Sequence, residues 1–118
     1  RSEFRLTYAE TLLRNKRFEE ALKETETVLN DESLLPRYQA MCWMLRVRIL
    51  LEGSSSVLER SCVQKDEVWK WVLESERSLE RAKSIGISIP NLAVVQRQIA
   101  RRKNDILSKC PNSFKKKD

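Results

Sequence analysis

Cys42, Cys62 and Cys110 carry the most reactive side chains of this 118-residue chain, and their surroundings in the sequence limit what they can do. A cysteine nucleophile needs a neighbouring base, and a structural zinc needs closely spaced thiols or imidazoles. The chain has no histidine and no Cys-x-x-Cys pair. Three cysteines, odd in number and far apart, point to reduced thiols and so to the cytosol or nucleus, with Cys42 a small buried apolar residue. The missing histidine also removes the commonest general base. Gly53 and Gly86 stand alone, so no glycine-rich loop cradles a phosphate. Glu19, Glu20, Glu24 and Glu26 lie among lysines on the solvent side of a helix and form no facing carboxylate pair. The sequence therefore predicts no catalytic residue, no cofactor and no metal ligand.

Binding chemistry is better represented. Trp43 and Arg46, three apart, share a helix face, and such a pair joins a large rigid contact area to bidentate polar contacts. Between Asn91 and Asp118 there are eight basic residues and two acidic ones, which account for the whole formal net charge of +6. Arg97, Arg101, Arg102, Lys103 and Lys109 in that segment form a candidate contact patch for a nucleic acid or another acidic partner. They serve equally to coat a helix end, where cations complement the partial negative charge of the last carbonyls. Trp69 and Trp71 are two apart, so one helix cannot bury both equally. Trp71 is expected to pack and Trp69 to lie nearer the surface.

The elements that position these groups follow from apolar spacing. With 34% charged residues, two glycines and three prolines, the composition favours one all-α domain over 1–110. Helices are expected at about 3–14, 17–30, 36–52, 62–85 and 90–109. The first carries Leu6, Ala9, Leu12 and Leu13, with Phe4 and Tyr8, on one side; the second carries Phe18, Ala21, Leu22, Thr25, Val28 and Leu29. The third opens at Pro36, where a missing amide hydrogen costs nothing. It is apolar around most of its circumference, which predicts the central position. Gly53-Ser54-Ser55-Ser56 is expected to end it and to begin a loop over 53–61. Ser61-Cys62-Val63-Gln64 has the form of a capping box for the fourth helix, and Gly86 is placed to stop it. Residues 111–118 are expected to be a flexible basic tail. No run of about 18 apolar residues is present, so no membrane span is expected. The chain opens at Arg1 without an initiator methionine and reads as a piece of something longer.

Two of these helical hairpins echo each other. Tyr8-Ala9 and Leu12 recur as Met41-Cys42 and Leu45, an offset of 33 residues, and Phe18 precedes the small Ala21 by three. This pattern resembles the tetratricopeptide repeat, whose units recur at about 34 residues. The resemblance implies stacked antiparallel hairpins forming a right-handed repeat, closed by a C-terminal capping helix. It departs from the family at Ala9 and Cys42, where glycine is common, and at Thr25, where an aromatic is common. The second unit also needs an insertion of about 20 residues to bring Ser75, Leu79 and Ala82 into register. A microtubule-interacting-and-trafficking type domain has a similar alanine and aromatic rhythm, but it is a shorter three-helix module.

In the repeat architecture the first helix of each hairpin lines a concave face. Carried over by position, the resemblance implies a groove of Leu6, Glu10 and Leu13 with Gln39, Trp43, Arg46 and Val47. Glu10 stands where chaperone-binding members hold a partner's terminal carboxylate with cations, and an acid there excludes that ligand. The expected function is a non-catalytic scaffold or adaptor module that binds a peptide or helix of another protein. The alternatives are a nucleic-acid-binding domain using the basic C-terminal helix and tail, and self-association.

Overall fold

Leu6, Ala9, Leu12 and Leu13 are all buried along one side of the first helix, and this stripe seeds the first of two hydrophobic clusters, whereas Phe4 and Tyr8, expected on the same side, are exposed. The structure is a computed structural model that describes residues 2–60, 62 and 64–110. Among these residues all regular structure is helical: α1 (Ser2–Arg14), α2 (Phe18–Leu29), α3 (Pro36–Arg60), α4 (Lys65–Ser84) and α5 (Leu92–Lys109). Each helix packs on the next in order. Lighter contacts join α1 to α3 and α3 to α5.

The α1–α2 turn is held by a paired hydrogen-bond motif. The Arg17 amide donates to the Leu12 carbonyl at 2.9 Å and the Lys16 amide to the Leu13 carbonyl at 2.9 Å, so two of the orphan carbonyls of α1 are satisfied. The motif requires a left-handed residue at Lys16, whose φ is 61°. Glycine usually fills that position, because a side chain there crowds the backbone.

The first cluster joins the α1 stripe to Ala21 and Val28 of α2 and to Cys42, Leu45 and Ile49 of α3. A second cluster joins Val47 and Leu51 of α3 to Val68, Val72 and Leu79 of α4 and to Ile99, Ile106 and Cys110. Both clusters draw on α3. Its nearly all-round apolar character is thereby explained, since opposite sides of one helix fill two cores.

The expected loop at 53–61 is corrected: α3 runs on through Gly53-Ser54-Ser55-Ser56 to Arg60. Tertiary contact overrides a composition that locally favours a linker. A Cβ at Gly53 would collide with the Trp71 ring and lie 3.2 Å from Phe18 Cγ, so glycine is what lets α3 pass this aromatic pair. Ser54 is fully buried, and its hydroxyl donates to the Leu51 carbonyl at 2.9 Å, whereas the buried Ser78 hydroxyl on α4 has no hydrogen-bond partner among the described residues. Ser75, Ser78 and Ala82 supply a matching buried stripe of small residues on α4. Helix α4 begins at Lys65 with Gln64 as its N-cap and no side-chain cap bond. Ser61 and Val63 of the anticipated capping box, and the anticipated tail at 111–118, lie outside the described residues. Gly86 ends the α4 region with φ 88°, as its position suggested.

The expectation of three reduced thiols is also corrected. Cys62 and Cys110 form a disulfide across 48 residues, tying the α3–α4 connection to the end of α5. Cys42 is free and buried.

Candidate functional site

Sequence spacing places Leu6 and Glu10 on the side of α1 that faces α3, and the two helices leave a groove there instead of closing on each other. The groove has a volume of about 330 Å³. Its α3 wall is the stripe Arg37, Ala40, Met41, Met44, Leu45 and Arg48, which repeats at three and four residues and so stays on one helix face over three turns. The third wall is the α4–α5 connection, Ile87 to Pro90. The floor is mostly apolar and open to solvent: Met41 is 55% exposed and Ile87 37%. The rim is polar, with Arg48 Nη1 3.4 Å from Glu10 Oε2 across the α1–α3 gap. At the far end Arg37 Nη2 donates to Tyr38 Oη at 3.0 Å.

Of the seven residues the sequence assigned to a groove, two line this one. Leu6 and Glu10 are in its wall, although Leu6 is mostly covered. Leu13 and Val47 are core residues of the first and second clusters, 2% and 1% exposed, so neither presents a side chain to a ligand. Gln39 turns back on its own connection, its Nε2 donating to the Leu34 carbonyl at 3.0 Å. The walls the sequence did not assign are the whole α3 stripe from Arg37 to Arg48 and the Ile87–Pro90 segment. The stripe at 37, 40/41, 44/45 and 48 was the available signal for α3. Nothing local marks Ile87–Pro90, because its place depends on where α5 docks.

Trp43 and Arg46 stay together but on another side of α3. Arg46 is 8% exposed, and its Nη1 donates to Thr25 Oγ1 at 2.9 Å. Carboxylates of Glu26 and Glu74 stand 3.9 Å from its two terminal nitrogens, so one guanidinium joins α2, α3 and α4. Its Nε has no hydrogen-bond partner among the described residues. The Trp43 ring has Arg46 5.8 Å and Arg81 5.5 Å from its centroid, and both cations gain from the negative ring face. Arg46 is thus an interhelical tie, and its burial is why the bidentate role read from sequence does not reach solvent.

Thr25 completes the tie by donating its own hydroxyl proton to the Leu22 carbonyl at 2.6 Å while accepting from Arg46. Beside it the Cys42 thiol donates to the Thr25 carbonyl at 3.4 Å. Burial pushes that thiol up to about 12, against the opposing pull of the Arg46 charge. Its thiolate is therefore scarce near neutral pH, and the free cysteine is a packing residue.

The five basic residues of α5 do not form one patch. Lys103 Nζ pairs with Glu76 at 2.7 Å and Arg102 Nη1 with Asp105 at 3.4 Å. Arg97 and Arg101, four apart, share an outward face with Val94, Gln98 and Asn104 around a shallow dish of about 490 Å³. Lys109 is exposed at the helix end, where it complements the terminal carbonyls. The two tryptophans of α4 are both partly buried on different sides. Trp69 packs on the second cluster, and Trp71 lies against Gly53. A wider cleft of about 750 Å³ between α4 and α5 is walled by charges of both signs, including Glu76, Arg77, Glu80 and Arg81. The smaller groove has the more apolar lining, which is the better basis for partner affinity.

Among the described residues no cluster of three potential metal ligands occurs, and no helix is long and apolar enough to cross a membrane. Among the described residues these features make an all-helical fold with an apolar groove. No family model, curated protein or solved structure matches the chain.

Proposed function

We propose that this chain is a non-catalytic interaction domain of the tetratricopeptide-like kind, which binds an apolar peptide or helix of another protein in the groove between α1, α3 and Ile87–Pro90. The observation that carries the reading is the apolar, solvent-open floor at Met41, Met44 and Ile87 between the two polar ends at Arg37 and Arg48. A side chain as exposed as Met41 gains free energy when a partner covers it, at about 25 cal/mol per Å² of apolar area. The order of helix contacts supports the repeat architecture. Neighbours pack in sequence, and the first helices of successive hairpins, α1 with α3 and α3 with α5, touch more lightly. The nucleic-acid alternative has less support, since two of the five cations on α5 are taken up by carboxylates.

The compartment is part of this reading. A disulfide persists where surroundings are oxidising, so Cys62–Cys110 weighs against the cytosolic or nuclear placement expected from cysteine number alone.

A photo-crosslinking residue at Met41 in the full-length protein is the direct test. It should capture one defined segment of a partner, and Met44→Glu should abolish that capture while the far-ultraviolet helical signal stays the same. Equal capture from Met41 and from exposed Glu67, on α4 outside the groove, would reject the assignment.

A further inference from the structure

Ile89 belongs to two places at once. It lines the groove, and it packs against the second cluster, which contains Ile99, Ile106 and Cys110. The third wall of the groove is therefore positioned by the docking of α5. That docking rests on a short apolar stripe, Ile99 and Ile106 buried with Leu92 and Val95 partly buried beside them, and on the pairing of Lys103 with Glu76 of α4 at 2.7 Å. A covalent attachment is added to these. Cys110, at the C-cap of α5, is bonded to Cys62 in the α3–α4 connection.

The geometry points to a redox gate on the groove: the Cys62–Cys110 disulfide holds α5 in place, and its reduction releases α5 and with it the Ile87–Pro90 wall. This rests on the groove reading given above and adds its regulation. The two partners of the bond differ in access, since Cys62 is exposed whereas Cys110 is 4% exposed. A thiolate of a small dithiol attacks Cys62 Sγ, the sulfur–sulfur bond breaks, and the Cys110 sulfur leaves as thiolate and takes up a proton. The second thiol of the reductant then attacks the mixed disulfide and frees Cys62 as a thiol. Two electrons and two protons have passed to the protein, and the dithiol has become a cyclic disulfide. Closing the bond again needs a disulfide oxidant of the same class.

The restraint removed is the closure of a long loop. A link across 48 residues restricts the open state more than a short-range one does, although the effect grows only as the logarithm of the loop length. The first cluster shares no residue with the bond, so the α1–α2 hairpin should keep its protection while α5 loses it.

Hydrogen exchange read by mass spectrometry on the full chain tests this without any ligand, so its failure leaves the groove reading standing. Protein treated with dithiothreitol, and separately the Cys62→Ser, Cys110→Ser double variant, are compared with the oxidised protein. Amides over 87–109 should exchange on the order of 10- to 100-fold faster in both, with those of 18–29 changed by less than about twofold. Unchanged exchange over 87–109 would overturn the gate. So would equal acceleration of 18–29, because reduction would then unfold the chain rather than free one helix. Two titratable thiols at Cys62 and Cys110 in protein isolated without reductant would overturn it as well.

Discussion

The two ends of the molecule are held by different means. The α1–α2 hairpin contributes six fully or nearly fully buried apolar residues to the first cluster, Leu6, Ala9, Leu12, Leu13, Ala21 and Val28, and turns through a backbone motif of two hydrogen bonds. Helix α5, at the other end, buries Ile99 and Ile106, half-covers Leu92 and Val95 against the second cluster, and adds an ion pair and a disulfide. Each end also carries one interhelical ion pair, Arg5 to Glu24 in the hairpin and Lys103 to Glu76 at α5, so the difference lies in the longer buried stripe of the hairpin and in the disulfide at α5. The groove lies where these two kinds of attachment meet, with two walls from the well-packed end and one from the tethered end.

That contrast can be broken by shaving one isoleucine from each cluster. Ile49, wholly buried in the first cluster, should cost about 4 kcal/mol when changed to alanine, since its surroundings are packed on every side. Ile99→Ala should cost nearer to 2 kcal/mol, because Ile99 also borders the open α4–α5 cleft, where neighbours can relax into the space. Urea unfolding of both variants with the disulfide intact would measure this, and equal or inverted losses would refute the distinction.

A smaller effect is expected where the two ends join. Thr25→Val removes the acceptor for Arg46 Nη1 and leaves a buried cation short of a partner, at a cost of about 2 kcal/mol. Arg46→Met removes the cation itself and should stay within about 1 kcal/mol of the parent, as replacing a buried charge by an apolar group often does. A thermal melt in which the methionine variant falls below the valine variant would mean that the ion pairs to Glu26 and Glu74 contribute more than their 3.9 Å separations suggest.

The smallest effect is a gain. Lys16→Gly relieves the left-handed strain in the α1–α2 turn and should stabilise the chain by about 1 kcal/mol, raising the denaturation midpoint. A midpoint that does not rise would show that the turn is already relaxed around lysine.

Much of the helical framework was legible because it rests on local periodicity. The stripes on α1, α2, α4 and α5 predicted those helices to within a few residues, and Pro36 marked the start of α3. The glycine and serine run at 53–56 misled because composition alone cannot distinguish a linker from a close crossing; the Trp71 ring against Gly53 makes the difference, and it lies 18 residues away in sequence. The repeat resemblance assigned Leu13 and Val47 to a ligand face, yet both sit at the angle where α1 and α3 meet their own cores. The Trp43–Arg46 pairing was read correctly as a shared face. Whether that face met solvent or α4 depended on the α3–α4 crossing.

By itself the sequence determined that this chain is helical, where most helices begin and end, and that its net positive charge lies in the last segment, because each of these follows from residues a few positions apart. The tertiary structure decided the long α3, the pairing of Cys62 with Cys110, the burial of Arg46 and the composition of the groove. Each of those depends on which surfaces approach one another in space, and close approach is set by the summed packing of distant side chains rather than by any local spacing.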